Sequence, residues 1–158
     1  MHPNAALLTT FYTAFAKRDG DAMAACYADD VQFSDPVFPS LTGSDAGDMW
    51  RMLCERGADL VVESSNIRAD DTNGSAHWEA HYTLSSTGRK VHNIIEATFT
   101  FRDSKIATHT DVFNFWRWSR MALGAPGLVL GWSPIVRNKV RGEAAKGLSI
   151  WQSKRAES

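Results

Sequence analysis

Cysteine is scarce in this chain. The 158 residues hold two, Cys26 and Cys54, which make no disulfide framework and lack metal-ligand spacing. Both sit in helix-like apolar patterns, which predicts buried free thiols. Long hydrophobic runs are missing as well: no uninterrupted apolar stretch approaches the ~18 residues of a membrane span. The N-terminus has no basic start followed by an apolar core, so no signal peptide is expected and the cytoplasm is the default location. A glycine-rich phosphate loop, an elbow around a nucleophilic serine and a dinucleotide fingerprint are all absent, which predicts chemistry without a cofactor. Net charge is only −1, which argues against nucleic acid or an acidic polymer as partner of the whole chain. The charge is unevenly spread, because residues 116–158 carry eight Lys and Arg against Glu143 and Glu157.

What is present is ordinary globular material, 44% hydrophobic and 22% charged, long enough for one domain that buries roughly 70% of its unfolded surface. Leu7, Leu8, Phe11, Tyr12 and Phe15 recur at helical spacing and predict a first helix ending near Gly20. Asp21 is the expected cap of a short second helix with Met23, Cys26 and Tyr27 on its apolar side, and Ser44 that of a third with Met49, Trp50, Met52 and Leu53. Between them runs a short alternating stretch, Val31 to Ser34, stopped by Asp35-Pro36. After Gly57 the period changes to two, predicting strands at about 59–68, 75–85, 90–101 and 105–115. The turns between them are short, so neighbours should be antiparallel. Helices first and a meander afterwards means α+β, a twisted sheet with helices on one face. "FWRWSRMALG" reads as a further helix, "APGLVLGW" as an apolar segment broken by Pro126, Gly127 and Gly131, and Ser133-Pro134 as the start of a last helix.

Alternation sorts each strand into faces, and polar residues among large apolar ones are the informative cases. In "ATHTDVFNF", His109 and Asp111 share a face with Ala107, Phe113 and Phe115, about 7 Å apart along the strand. If that face is the covered one, an imidazole and a carboxylate enter an apolar chamber; the plainer alternative is a structural His-Asp pair at the sheet surface. On the preceding strand Asn93 is the one polar member of the inward set. In "AHWEAHYTL" the inward set holds Trp78 and Tyr82, and His77, Glu79 and His81 face out. The outer two of these stand about 13 Å apart, too far for all three to close on one ion with ligand bonds near 2 Å. A two-ligand site stays open beside a solvated or interface-facing polar row, and no metal is expected. Asp35 precedes Pro36, a common turn pair. Its neighbours Phe33, Val37, Phe38 and Leu41 would also desolvate a carboxylate and raise its pKa, as suits a general base near neutrality.

The stretch "FYTAFAKRDGDAMAACYADDVQFSDPVFPSLTG", followed by a third helix and four strands, resembles the nuclear transport factor 2-like superfamily. Its SnoaL-like branch, relatives of ketosteroid isomerase, is the nearest in pattern, over about residues 4–116. The resemblance implies a cone-shaped, strongly curved antiparallel sheet packed against three N-terminal helices. Residues 1–116 would form the cone domain and 117–158 a C-terminal helical extension of it. It places Asp35 at the isomerase's proton-shuttling position and Tyr12 one position from its first-helix tyrosine. The isomerase's second aspartate falls near Ala97, with Glu96 adjacent and pointing the other way. His109, Asp111 and Phe113 match pocket-lining positions of the last strand, and Asp111 resembles the acid/base of SnoaL-like cyclases. The scaffold hosts isomerases, cyclases, hydrolases, dehydratases and binding modules alike.

The expectation is therefore a homodimer enclosing an apolar pocket of roughly 300–1,000 Å³. Asp35 or Asp111 would take a proton from a hydrophobic carbonyl or polycyclic compound, His109 and Tyr12 would orient or donate, and Trp50, Trp78, Tyr82, Asn93 and Phe113 would line the pocket. The rivals are a non-catalytic lipophilic-ligand-binding or dimerisation module, and a hydrolase using carboxylate-activated water. The extension, "GLVLGW" above all, would lid the cone, cover a dimer face or, less readily, touch a membrane.

Overall fold

Helix α1 (Pro3–Ala16) starts where a proline fits without loss. Pro3 needs no N–H in the first turn, and His2 Nδ1 accepts the Asn4 N–H at 3.0 Å. In this computed structural model residues 1–130 and 133–157 are described, the side chains of 128–130 excepted. Leu8, Phe11, Tyr12 and Phe15 are buried along one side of α1. Arg18 turns the chain at positive φ, and α2 (Gly20–Ala25) follows. Its cap is Asp19, not the expected Asp21: Asp19 Oδ1 accepts the Ala22 N–H at 3.0 Å. Asp21 lies inside the first turn, where its carboxylate takes Arg51 Nε at 2.6 Å.

Ser44 likewise is the first residue of α3 (Ser44–Arg56) rather than its cap. The cap position is Gly43, at φ +60°, where a Cβ would stand 2.9 Å from the Asp29 carbonyl oxygen. Only glycine meets both demands.

Six strands follow one another in space as β2-β1-β6-β5-β4-β3. They are β1 (Tyr27–Ser34), β2 (Leu41–Thr42), β3 (Val61–Ala69), β4 (Asn73–Leu84), β5 (Arg89–Arg102) and β6 (Lys105–Val112). The four expected after Gly57 are β3 to β6, antiparallel throughout. Two features depart from expectation. β1 begins four residues early, and it runs parallel to β6, with Phe33 beside His109. A parallel pair needs a long connection, here α3 and four strands, β2 to β5. Register shifts in β1–β6, β3–β4 and β5–β6 bend the sheet without closing it.

β6 ends at Val112 because Asn114 caps α4 (Phe115–Leu123), its Oδ1 accepting the Arg117 N–H at 3.0 Å. The segment expected to be broken folds at 125–130 as α5 (Ala125–Leu130): Gly124 takes the turn at φ +74°, and Pro126 falls in the first turn, where its missing N–H costs nothing. Residues 131 and 132 of "GLVLGW" lie outside the described residues. Helix α6 (Pro134–Glu157) starts as expected, with Ser133 Oγ accepting the Ile135 N–H.

The main core lies between α1, α3 and the concave face of the sheet. Val91, Phe115, Trp118 and Ala122 form a second cluster under α4, and Val37, Tyr82 and Phe113 touch both. Both cysteines are free and buried. Among the described residues no helix is long and apolar enough to cross a membrane.

Two glycines predict opposite outcomes. A Cβ on Gly20 would sit 2.6 Å from the Arg51 Cα, backbone that cannot step aside, whereas one on Gly142 meets nothing within 4 Å. Gly20→Ala should lose about 2 kcal/mol or more by overpacking α2 on α3. Gly142→Ala, inside α6, should gain about 0.5–1 kcal/mol. Denaturant midpoints of the two variants check both signs.

Candidate functional site

Four of the residues singled out above meet on the concave side. Asp111 and His109 come from alternate positions of β6, and both are buried, at 2% and 0% exposure. Tyr12 comes from α1 and Asp35 from the turn after β1. The face carrying Ala107, His109 and Asp111 is therefore the covered one, and Val112 on the other face is 61% exposed.

His109 and Asp111 belong to a chain of hydrogen bonds. Trp50 Nε1 donates to Tyr27 Oη at 2.7 Å, and Tyr27 Oη lies 2.8 Å from His109 Nδ1. His109 Nε2 lies 2.8 Å from Asp111 Oδ1, which also accepts Trp78 Nε1 at 3.3 Å. An indole N–H can only donate. Tyr27 thus accepts from Trp50 and turns its own proton to Nδ1, which leaves Nε2–H to donate to Asp111. The direction of the chain fixes the tautomer of the ring. Burial pushes the Tyr27 hydroxyl well above the usual phenol range, with the charge of Asp111 adding to the rise, so it stays a donor.

Two buried oxygens have no partner among the described residues: Asp111 Oδ2 and Tyr12 Oη. Each such atom costs about 1–3 kcal/mol. Burial raises the Tyr12 hydroxyl well above its usual range, and Asp111 is the largest charge acting on it. Asp111 also stands directly across from Ala97 in the sheet register.

Asp35 closes its own turn. Its Oδ1 accepts the Val37 and Phe38 N–H groups at 2.7 and 2.6 Å, and its N–H donates to the Phe38 carbonyl at 2.9 Å. The turn reading and the desolvation reading hold together. Burial outweighs those two bonds and lifts the carboxyl to about 7, with Asp111 pushing the same way. None of these bonds uses Oδ2.

The expected lining residues are spread more widely. Trp50 and Trp78 act as hydrogen-bond donors inside the core. Asn93 is buried on the same face as Trp78. Tyr82 and Phe113 lie toward the extension, where Tyr82 Oη accepts Trp118 Nε1 at 2.8 Å. His109 itself is enclosed by rings: Phe99, Phe33, Phe11, Trp50 and Tyr27 have centroids 4.3 to 6.1 Å away. Clefts of about 430 and 440 Å³ lie elsewhere, between the β1–β2 turn and α6 and beside the start of α1, and neither is lined by Asp35, His109 or Asp111.

Tyr27 was missed by the sequence reading, which placed it on the second helix. Carrying the alternation of Val31 and Phe33 back to residue 27 puts it on the inner face. On the outer face His77 bonds Glu79 and Glu96, His92 bonds Glu79, and His81 stacks on His92 at 4.1 Å. The Glu79 and Glu96 carboxylates raise the pKa of His77. Among the described residues no group of three such side chains is placed to hold a metal.

The helices on a curved, unclosed sheet define the nuclear transport factor 2-like fold. A family model described as a SnoaL-like domain matches residues 8–109, and the chain belongs to that family. Among solved structures, a Xanthomonas campestris pv. campestris protein provisionally named a polyketide cyclase is 24% identical, covering 75% of this chain and 96% of that one at a TM-score of 0.63. An M. tuberculosis LEH-like epoxide hydrolase is 18% identical, with 85% and 95% covered and a TM-score of 0.61. A Catenulispora acidiphila protein with a ketosteroid isomerase-like fold is 11% identical, with 77% and 94% covered and a TM-score of 0.66. At these identities the likeness is one of fold. No curated protein matches the chain significantly.

Ionising Asp35 within the fold costs stability that accrues as pH rises from the ordinary value of 3.8 toward about 7, and is complete above it. Asp35→Asn keeps an oxygen for Val37 and Phe38 and removes that cost. It should be more stable than the wild type at alkaline pH by something on the order of 1–3 kcal/mol, with the gap shrinking toward acid. Paired thermal melts across pH check this; a gap that ignores pH, or reverses, contradicts it.

Proposed function

We propose that the protein is a cofactor-independent acid/base enzyme that moves a proton on a hydrophobic carbonyl or polycyclic small molecule, in isomerase or cyclase fashion. The observation that carries the proposal is the pair of buried oxygens without partners among the described residues, Asp111 Oδ2 and Tyr12 Oη, beside the Asp35 carboxyl that burial lifts to about 7 and on which the Asp111 charge acts. A base needs a free carboxylate oxygen near its reactant, and a developing enolate oxygen needs a donor that stays protonated. Asp35 Oδ2 or Asp111 Oδ2 takes the proton, and Tyr12 Oη donates to the oxygen that gains charge. His109 holds Asp111 in place through Oδ1, and Tyr27 and Trp50 hold His109.

The aromatic packing round His109 favours a second reading, a lipophilic-ligand-binding module without turnover. Exposed Val61, Ile94 and Val112 on the outer face of the sheet support the expected homodimer.

The reading is tested by incubating the protein with a panel of lipophilic cyclic ketones in deuterated buffer and following the carbon next to the carbonyl by NMR. Deuterium entering at that carbon reports proton abstraction from any ketone that fits the site. Exchange should rise through about pH 7 as Asp35 ionises. Asp35→Asn or Asp111→Asn should slow it about 10²–10⁴-fold. Ketone binding without exchange supports the binding module, and exchange unchanged in both variants refutes the assigned roles.

A further inference from the structure

The cleft of about 430 Å³ between the β1–β2 turn and α6 has a composition that proton transfer at Asp35 does not use. Val37, Phe38 and Leu41 form one apolar wall, and Ala145 and Leu148 of α6 the other. Its volume is within the usual range for drug-sized ligands, about 300–1,000 Å³. One cation lines it. Arg141 is anchored by Nε, which donates to the Pro36 carbonyl at 2.9 Å. None of its described hydrogen bonds or ion pairs uses either Nη, so the planar end of the guanidinium is held in position with donors to spare. Asp45, the acid in the lining, is held by Gln152, its Oδ1 accepting Nε2 at 2.8 Å, and keeps its charge. Helix α6 is tied down beyond the cleft by Trp151 Nε1 donating to Glu55 at 2.9 Å, so both walls are fixed.

We infer that this cleft binds an amphipathic organic anion, a carboxylate or sulfonate on a flat hydrophobic body, with the acid group on the Nη atoms of Arg141 and the body between Phe38 and Leu148. A guanidinium fork matches a two-oxygen acid group, and charge-assisted bonds of this kind are the strong ones. The site rests on the cleft and on Arg141, whose charge also pulls the Asp35 carboxyl downward; its readout is probe affinity, which requires no proton transfer.

Fluorescence titration with two probes tests it: 8-anilinonaphthalene-1-sulfonate, and N-phenyl-1-naphthylamine, which shares the rings and lacks the acid. The anion should bind the wild-type protein more tightly than the neutral probe. Arg141→Met should weaken the anion about tenfold or more and leave the neutral probe within about twofold. Because that change also removes the bond to Pro36, Ala145→Glu serves as a second variant. It adds a carboxylate one helical turn from Arg141 at an exposed position, and should weaken the anion to a similar degree. A wild-type protein that binds neither probe, or anion affinity unchanged in either variant, overturns the assignment.

Discussion

The bond from Trp50 Nε1 to Tyr27 Oη at 2.7 Å orders the interior. An indole has one proton and no acceptor to offer, so every polar group after it has its role assigned in turn: Tyr27 to His109, His109 to Asp111. The chain is enclosed by aromatic rings that exclude water, where misdirected donors would cost about 1–3 kcal/mol each. Its far end is Asp111, which takes two donors on one oxygen and leaves the other bare. The fold spends stability to keep that oxygen, and the Tyr12 hydroxyl, unsatisfied inside. Burial of the same kind lifts Asp35. Desolvation thus does two jobs here, holding the core polar chain to one arrangement and raising the pKa of Asp35.

Much of this was legible in the strands. Period-two alternation put His109 and Asp111 on one side with Phe113, and left open whether that side was the covered one, which burial decides. Asp35 stood out by its apolar neighbours. What sequence could not supply was depth across the sheet. Asp111 lies opposite Ala97 because β5 and β6 pair in that register, and Tyr27 reaches His109 because β1 runs parallel to β6; both are long-range facts that no local pattern encodes. The cap of α2 was misplaced for a local reason: Asp19 and Asp21 are equivalent by composition, and the turn at Arg18 decides between them. The filled interior around His109 was also out of reach, since a set of inward residues does not say whether their rings meet.

Family and reaction separate cleanly in this molecule. Residues 8–109 carry the SnoaL-like domain, and solved structures of the same fold include proteins named for quite different chemistries. The extension beyond β6 packs back on the domain: α4 covers Tyr82 through Trp118, and α6 brings Arg141 against the turn that holds Asp35. Those contacts tie the basic end of the chain to β4 and to the turn after β1, so charge unevenness visible in the sequence acquires a location.

The most direct measurement is nitrogen NMR of the His109 ring in protein labelled at histidine, recorded at mildly alkaline pH and assigned with His109→Gln. The account predicts the Nε2–H tautomer, with Nδ1 bare and accepting from Tyr27, and its loss in Tyr27→Phe. A proton found on Nδ1 instead, or a ring exchanging freely with water, would contradict it.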